Sequence, residues 1–251
     1  MMILFRKELL ELRRTYRGFI ILVLFVFFGL TSPLVAKILP DLMEALVEDM
    51  IIQLPEPTWL DAFMQYFKNL IQLGLLALIL TTMGTVAEEK AKNTALLVLA
   101  RPVSRHTFVW AKFLAVTVVL AAATLISYAA CYYYSWVLFR PFPIALTLQA
   151  TLLFFAYALF ITALTVCASS WAQSGATAGG LAVAGFFLAS TLPSLHRVFA
   201  RYSPGALSNM INQLLTERIP FSETMVALGV TVVSTLVLVL LGSWLFSRQE
   251  V

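Results

Sequence analysis

An all-α protein that crosses a membrane six times is the fold this sequence predicts, and three observations carry it. Hydrophobic residues make up 61% of the 251 residues and charged residues only 12%, about half the charge of a soluble domain of this size. Several apolar runs reach the roughly 20 residues that a helix needs to cross the hydrocarbon of a bilayer. No lysine, arginine, aspartate or glutamate falls near the middle of any of those runs. The chain therefore reads as one polytopic membrane domain, residues 1–251. Cys131 and Cys167 both lie inside apolar runs and read as small core residues, not as a disulfide or a metal pair.

The first element is residues 2–17. Leu4, Phe5, Glu8, Leu9, Leu12 and Tyr16 recur at helical spacing, and all but Glu8 are apolar or amphipathic. Arg6, Lys7, Arg13, Arg14 and Arg17 fill much of the rest. This is the pattern of a basic amphipathic helix lying in a membrane interface. It reads as a retained helix and not a cleaved leader, because the next apolar run is long enough to span and no small-x-small site follows it. It serves as a plain positive anchor or as a helix that also touches a partner.

Span 1 is expected over 18–38, with Pro33 kinking its far end. An acidic amphipathic stretch follows over 40–66, broken at Leu54-Pro55-Glu56-Pro57. Trp59, Phe63, Tyr66 and Phe67 then suit an aromatic belt at the interface. Span 2 is expected over 67–87, span 3 over 107–138, span 4 over 144–169, span 5 over 175–192 and span 6 over 223–246. Between the last two lies a segment, 193–222, with a Ser203-Pro204-Gly205 turn and a short helix over 206–217. No internal repeat is visible.

Six spans put both termini on one side. Lys and Arg concentrate there: Arg6, Lys7, Arg13, Arg14, Arg17, Lys90, Lys92, Arg101, Arg105, Lys112 and Arg248. The opposite side holds fewer, and most of the acidic residues. The excess of basic residues assigns the termini and the 88–106 segment to the cytoplasm, with the protein in a cell membrane, a prokaryotic plasma membrane by preference.

The interior argues by what it lacks. Ionisable residues at mid-membrane are the usual mark of an ion-driven carrier, and none is present. The uncharged polar residues Gln72, Thr81, Thr82, Gln149, Thr162 and Thr165 suit helix–helix hydrogen bonds better than substrate contacts. His106 and His196 fall at opposite edges, out of reach of any mid-membrane serine. There is no His-Glu-x-x-His zinc motif and no glycine-rich phosphate loop, so no catalytic, metal or nucleotide site is expected in this chain, and nothing points to nucleic acid. Ala168, Ala172, Ala176, Gly180 and Ala184 form a stripe of small side chains at four-residue spacing. Such a stripe serves internal helix packing or contact with a second chain.

The segment from Glu88 to Lys112 is the charged break in this apolar chain. Glu88-Glu89-Lys90-Ala91-Lys92 ends span 2. Asn93 tolerates the left-handed turn that stops a helix, and Thr94 caps the next one. Leu96, Leu97, Val98 and Leu99 form a helix over 95–100 too apolar to sit bare in water. It needs the membrane surface or a groove on a soluble partner. Arg101-Pro102 ends it, since the residue before proline disfavours helix, and Ser104 caps span 3. A solvated interhelical loop is the plainer alternative.

Glu89, Thr94, Leu97, Leu99, Arg101, Pro102, Val103, Ser104, Arg105 and Lys112 together resemble the signature of ABC-2 type transporter permeases. The basic N-terminal helix with Arg6-Lys7-Glu8, the six spans and Ser203-Pro204 agree with that family over the full length. The chain departs from it where Asn93 replaces a glycine and where Ala91 and Leu96 replace acidic residues. The resemblance implies a permease subunit of an ATP-driven exporter of amphipathic, lipid-like, peptide or drug cargo, working as a pair of permease chains in membrane lipid. ATP and magnesium would bind separate ATPase subunits. Thr94–Ala100 would be the coupling helix, with Glu88, Glu89, Asn93, Arg101, Pro102, Ser104 and Arg105 around it. Residues 2–17, with Arg6, Lys7, Glu8, Arg13 and Arg14, would be the connecting helix beside it. A membrane scaffold or sensor, or an ion-coupled carrier, stands as the alternative.

Overall fold

The computed structural model describes residues 1–46, 56–92, 104–139, 142–217 and 219–248. Among them it contains helices and no strand. The amphipathic helix α1 spans Met2–Arg14 and α2 spans Arg17–Leu46. Three short helices follow, α3 over Trp59–Asn69, α4 over Leu75–Thr82 and α5 over Ala87–Ala91. Next come α6 over Arg105–Phe139, α7 over Ile144–Trp171 and α8 over Gly175–Leu195. The chain finishes with α9 over Arg197–Tyr202, α10 over Ala206–Thr216 and α11 over Met225–Ser247.

Six of these units are long and apolar enough to cross a membrane: Arg17–Pro40, Trp59–Ala91, Arg105–Phe139, Ile144–Trp171, Gly175–Leu195 and Phe221–Ser247. The six expected spans are all present, several with longer bounds. Helix α7 is the centre of the bundle. Inside its apolar window 78% is buried, against 28% for the last span. Leu153, Phe154, Tyr157 and Ile161 of α7 meet Phe25 of α2, Phe63 and Phe67 of α3 and Ile211 of α10 in one core. Helix α2 lies along α6, and α11 lies along α7.

The second span differs most from the sequence reading. It starts at Trp59, where the Thr58 N–H and hydroxyl both donate to Asp61 at 2.8 Å and fix the first turn. Phe63, Tyr66 and Phe67 are therefore not an interfacial belt; all three are fully buried. They gather with Phe142, Tyr128 and Phe154 through ring contacts of 5.3 to 6.4 Å, because the helix they ride on enters the bundle instead of lying across its end. The span is also broken twice, by a π-turn over Leu70–Gly74 and by a turn over 83–86. The first span runs on past its expected end, with Pro33 and Pro40 both inside α2.

Two expectations about polar and small residues change. The hydroxyls of Thr81, Thr82, Thr162 and Thr165 donate to carbonyls of their own helix, at 2.6 to 2.8 Å. They are satisfied locally, within their own helices. The small-residue stripe is divided: Ala168 packs half-buried against the main core and Ala172 is buried, whereas Ala176, Gly180 and Ala184 are exposed. Helix α8 packs inward through Ala178, Gly179, Ala182 and Phe186 instead. Both cysteines are buried and free.

Helix α1 and the last turn of α11 come together at one end of the bundle. Leu4 of α1, Val86, Phe108 of α6 and Phe246 of α11 form a single small core there. Helix α10 packs against α3 and α7 at the other end.

Candidate functional site: a charge cluster at the base of the second and third spans

The end of the bundle that holds the termini carries a set of charges inside it. Lys112 sits near the start of α6 and its side chain is 2% exposed. Its ammonium donates to Glu8 Oε2 at 3.0 Å and to Glu89 Oε1 at 2.8 Å. Lys7 donates to the same Glu89 oxygen at 2.8 Å, to Glu8 Oε1 at 2.9 Å and pairs with Glu11 at 2.8 Å. Glu8 thus divides its two oxygens between two lysines, while one oxygen of Glu89 serves both. Lys112 also lies 4.8 Å from the centre of the Phe108 ring, which stacks on Phe246. The ring face adds a further attraction for the ammonium.

Each member is placed by local helix geometry. On α1, Leu4, Glu8 and Leu12 share one buried face at four-residue spacing. Glu8 is the one charge on that face, and it is buried because Lys112 is there to meet it. Burial alone would pull the Lys7 ammonium down. Hydrogen bonds to Glu11, Glu89 and Glu8 outweigh it and hold the group above the ordinary lysine value.

Glu88 and Glu89 ride on α5, and α5 is pinned from behind. At the turn after Thr82, the N–H groups of Val86 and Ala87 both donate to Ser169 Oγ, at 3.1 and 3.0 Å. Lys90 donates to the Ser170 carbonyl at 2.7 Å. The end of α7 therefore holds the break in the second span, with Glu89 turned to α1 and Glu88 to the head of α2. Arg17, at the head of α2, donates to both oxygens of Glu88 at 2.8 Å. Gly84 makes room for this, since a Cβ there would collide with the Glu88 carboxylate.

The third span is fixed as firmly. Ser104 Oγ accepts from the Thr107 N–H at 3.2 Å and caps α6. The Arg105 guanidinium donates to the last carbonyls of α11, Phe246 and Ser247, at 3.4 Å, a favoured place for a cation. His106 Nδ1 lies 3.0 Å from Ser243 Oγ.

Carboxylate oxygens of Glu8, Glu11 and Glu89 come within 4.8 Å of one another. That spacing would suit a divalent cation, but the Lys7 and Lys112 ammonium groups stand among them. The chemistry available here is mechanical. Charge-assisted bonds tie α1 to α5 and α6 through Lys7, Glu8, Glu89 and Lys112, α2 to α5 through Arg17 and Glu88, and α6 to the end of α11 through Arg105.

Of the residues singled out in the sequence, Lys7, Glu8, Glu88, Glu89, Ser104, Arg105 and Lys112 meet at or beside this cluster. Arg6, Arg13 and Arg14 are exposed and outside it. Asn93, Thr94, Leu96, Leu97, Val98, Leu99, Arg101 and Pro102 fall in 93–103, outside the described residues. The roots of that stretch, α5 and α6, are the elements that the cluster joins to α1. Arg17, Glu11 and Ser169 carry structural weight that sequence reasoning missed. A charge on an apolar helix face was the available signal for Glu8; Arg17 and Ser169 left none.

The family described as ABC-2 family transporter protein matches residues 2–251. The chain belongs to this family. A relative from Bacillus subtilis strain 168, described as an uncharacterized transmembrane protein, YxlG, is 25% identical over 259 residues, covering 100% of this chain and 98% of that protein. Membership carries the resemblance in the Glu89–Lys112 motif to the whole length of the chain. It makes this ABC-2 protein a multi-pass membrane member of a transporter family, in which the membrane chains generally work with a separate ABC ATPase subunit.

Proposed function

We propose that this chain is the permease subunit of an ATP-driven exporter, with its termini in the cytoplasm and residues 93–103 seated on a separate ATPase subunit. The observation that carries the reading is the ion cluster Lys7–Glu8–Glu89–Lys112, which ties α1 to both roots of that stretch. A push on 93–103 would be shared at once among α1, α5 and α6, and through Arg17 with α2. Closure of the ATPases would then move the spans as a set and not bend one loop. ATP and magnesium belong to the partner; this chain has no phosphate loop. The exposed Ala176, Gly180 and Ala184 give a second permease chain a face that helices approach closely. The apolar, aromatic-rich spans favour an amphipathic or lipid-like cargo, with peptides and drugs in the same range.

The test is co-purification with the ATPase, followed by transport in vesicles. Leu97→Asp and Val98→Asp each push a charge into the proposed apolar contact. Transport is expected to fall by about tenfold or more while insertion and yield stay normal, and ATP hydrolysis is expected to persist without cargo movement. Capture of no ATPase, together with unchanged transport in both variants, would overturn the proposal.

A further inference from the structure

An open cavity of about 820 Å3 lies at the elbow between α1 and the first span, against the flank of α6. Its wall is apolar, built from Leu9, Phe19, Leu22, Val118, Val119 and Ala122. Arg13, Arg14 and Tyr16 line the same cavity from the last turn of α1 and the elbow. Tyr16 makes the elbow itself, with φ at 59°, a left-handed backbone that a bulky residue rarely takes. The elbow sets a polar, basic edge beside an apolar trough.

The two arginines are unlike Lys7 and Arg17. Lys7 and Arg17 are spent on Glu8, Glu11, Glu88 and Glu89. Arg13 and Arg14 are exposed and have no ion pair among the described residues. The apolar wall is open too: Phe19 is 59% and Val118 46% exposed, on the outward side of spans that face hydrocarbon. The trough is therefore continuous with the lipid-facing surface. Its basic edge lies at the depth where an amphipathic helix meets headgroups.

We infer that this cavity is a binding site for an anionic phospholipid of the leaflet in which α1 lies. One acyl chain fills the trough between α1, Phe19 and Val118, and Arg13, Arg14 and the Tyr16 hydroxyl hold the headgroup phosphate. Charge complementarity selects the headgroup, and continuity with the lipid-facing surface supplies the chain. Such a lipid would brace the free edge of α1, whose other edge carries the ion cluster.

The full-length chain, stripped of lipid in detergent, is titrated with phosphatidylglycerol or phosphatidylcholine of identical acyl chains, and bound lipid is counted by native mass spectrometry. Phosphatidylglycerol is expected to be retained over phosphatidylcholine by about fivefold or more, roughly what one arginine contributes beside an anionic surface. Arg13→Ala/Arg14→Ala is expected to abolish that preference, while Arg6→Ala, which alters an exposed cation on the same helix away from the cavity, keeps it. Ala122→Trp, at an exposed position in the trough, is expected to lower retention of both lipids. The inference is overturned if the wild-type chain shows no preference, if the preference survives the double arginine change, or if Arg6→Ala removes it equally, which would mean diffuse surface attraction. It is also overturned if glycerol phosphate displaces phosphatidylglycerol at equal concentration, because the site would then hold a free anion, or if Ala122→Trp leaves retention intact.

Discussion

Lys112 joins the carboxylates of two helices through one buried ammonium group. Its ammonium has left water almost completely and is offset by Glu8 and Glu89. A buried pair of this kind is weak evidence of net stability, because desolvation consumes much of the attraction. Breaking it from one side is a different matter, since it strands charge in a low-dielectric setting. Lys112→Met is therefore expected to destabilise the protein by about 3–5 kcal/mol, read as a clear fall in the thermal midpoint of the detergent-solubilised chain. Adding Glu8→Gln should restore part of the loss, because the second change removes one stranded carboxylate and the two sites are coupled. A single variant that melts with the wild type would mean that the cluster bears no load. Legibility in the sequence was uneven at this scale. Glu8 showed itself by interrupting an apolar face. The Arg17–Glu88 bond joins residues 71 positions apart, and no periodicity or spacing announces a contact made only when two helix ends fold together.

Among the elements, the second span departs furthest from an ideal helix, and it is the one that leads to the proposed ATPase contact. Hydropathy reported its apolar run faithfully. It could not report the π-turn over Leu70–Gly74 or the break after Thr82, because both depend on what the span packs against. The break is stable because Ser169 on α7 accepts from two backbone N–H groups that the interrupted helix leaves bare. Ser169→Ala removes both bonds in a fully buried place, and a buried donor left unmade costs about 1–3 kcal/mol. Hydrogen exchange at Val86 and Ala87 is expected to accelerate by tenfold or more, since each 1.4 kcal/mol is a factor of ten, while the amides of α7 itself keep their protection. Equal acceleration along α7 would show general loosening and sink the assignment. The start of the same span was legible in principle: Thr58-x-x-Asp61 spells a capping box. The aromatic residues behind it suggested an interface, and that reading moved the expected start of the span to Phe67.

For the whole molecule, the six spans followed from length and hydropathy alone, because every backbone polar group in hydrocarbon must be satisfied within its own helix. Which face of each span looks inward did not follow. In a spanning helix both the core and the lipid side are apolar, so the contrast that marks a soluble helix vanishes. The fourth and sixth spans are both strongly apolar, yet 78% of one window is buried and only 28% of the other. The small-residue stripe shows the same ambiguity from the other side, since its spacing suited internal packing and the structure leaves Ala176, Gly180 and Ala184 outside. Apart from its chain neighbours and the backbone of its own helix, no atom of the described residues lies within 4 Å of where a Cβ at Gly180 would stand. A large side chain there starts into open space and would hold apart any helix packed on that stripe. Gly180→Trp is accordingly expected to leave helix content and thermal midpoint unchanged, while the paired fraction, counted by subunit photobleaching in lipid bilayers, falls by tenfold or more. Gly180→Cys should cross-link between chains under mild oxidation, because both natural cysteines are buried and the new thiols would face each other near the pairing axis. If Gly180→Trp pairs as well as the wild type and Gly180→Cys stays uncross-linked, the second chain sits on another face. The open stripe would then be an ordinary lipid-facing surface.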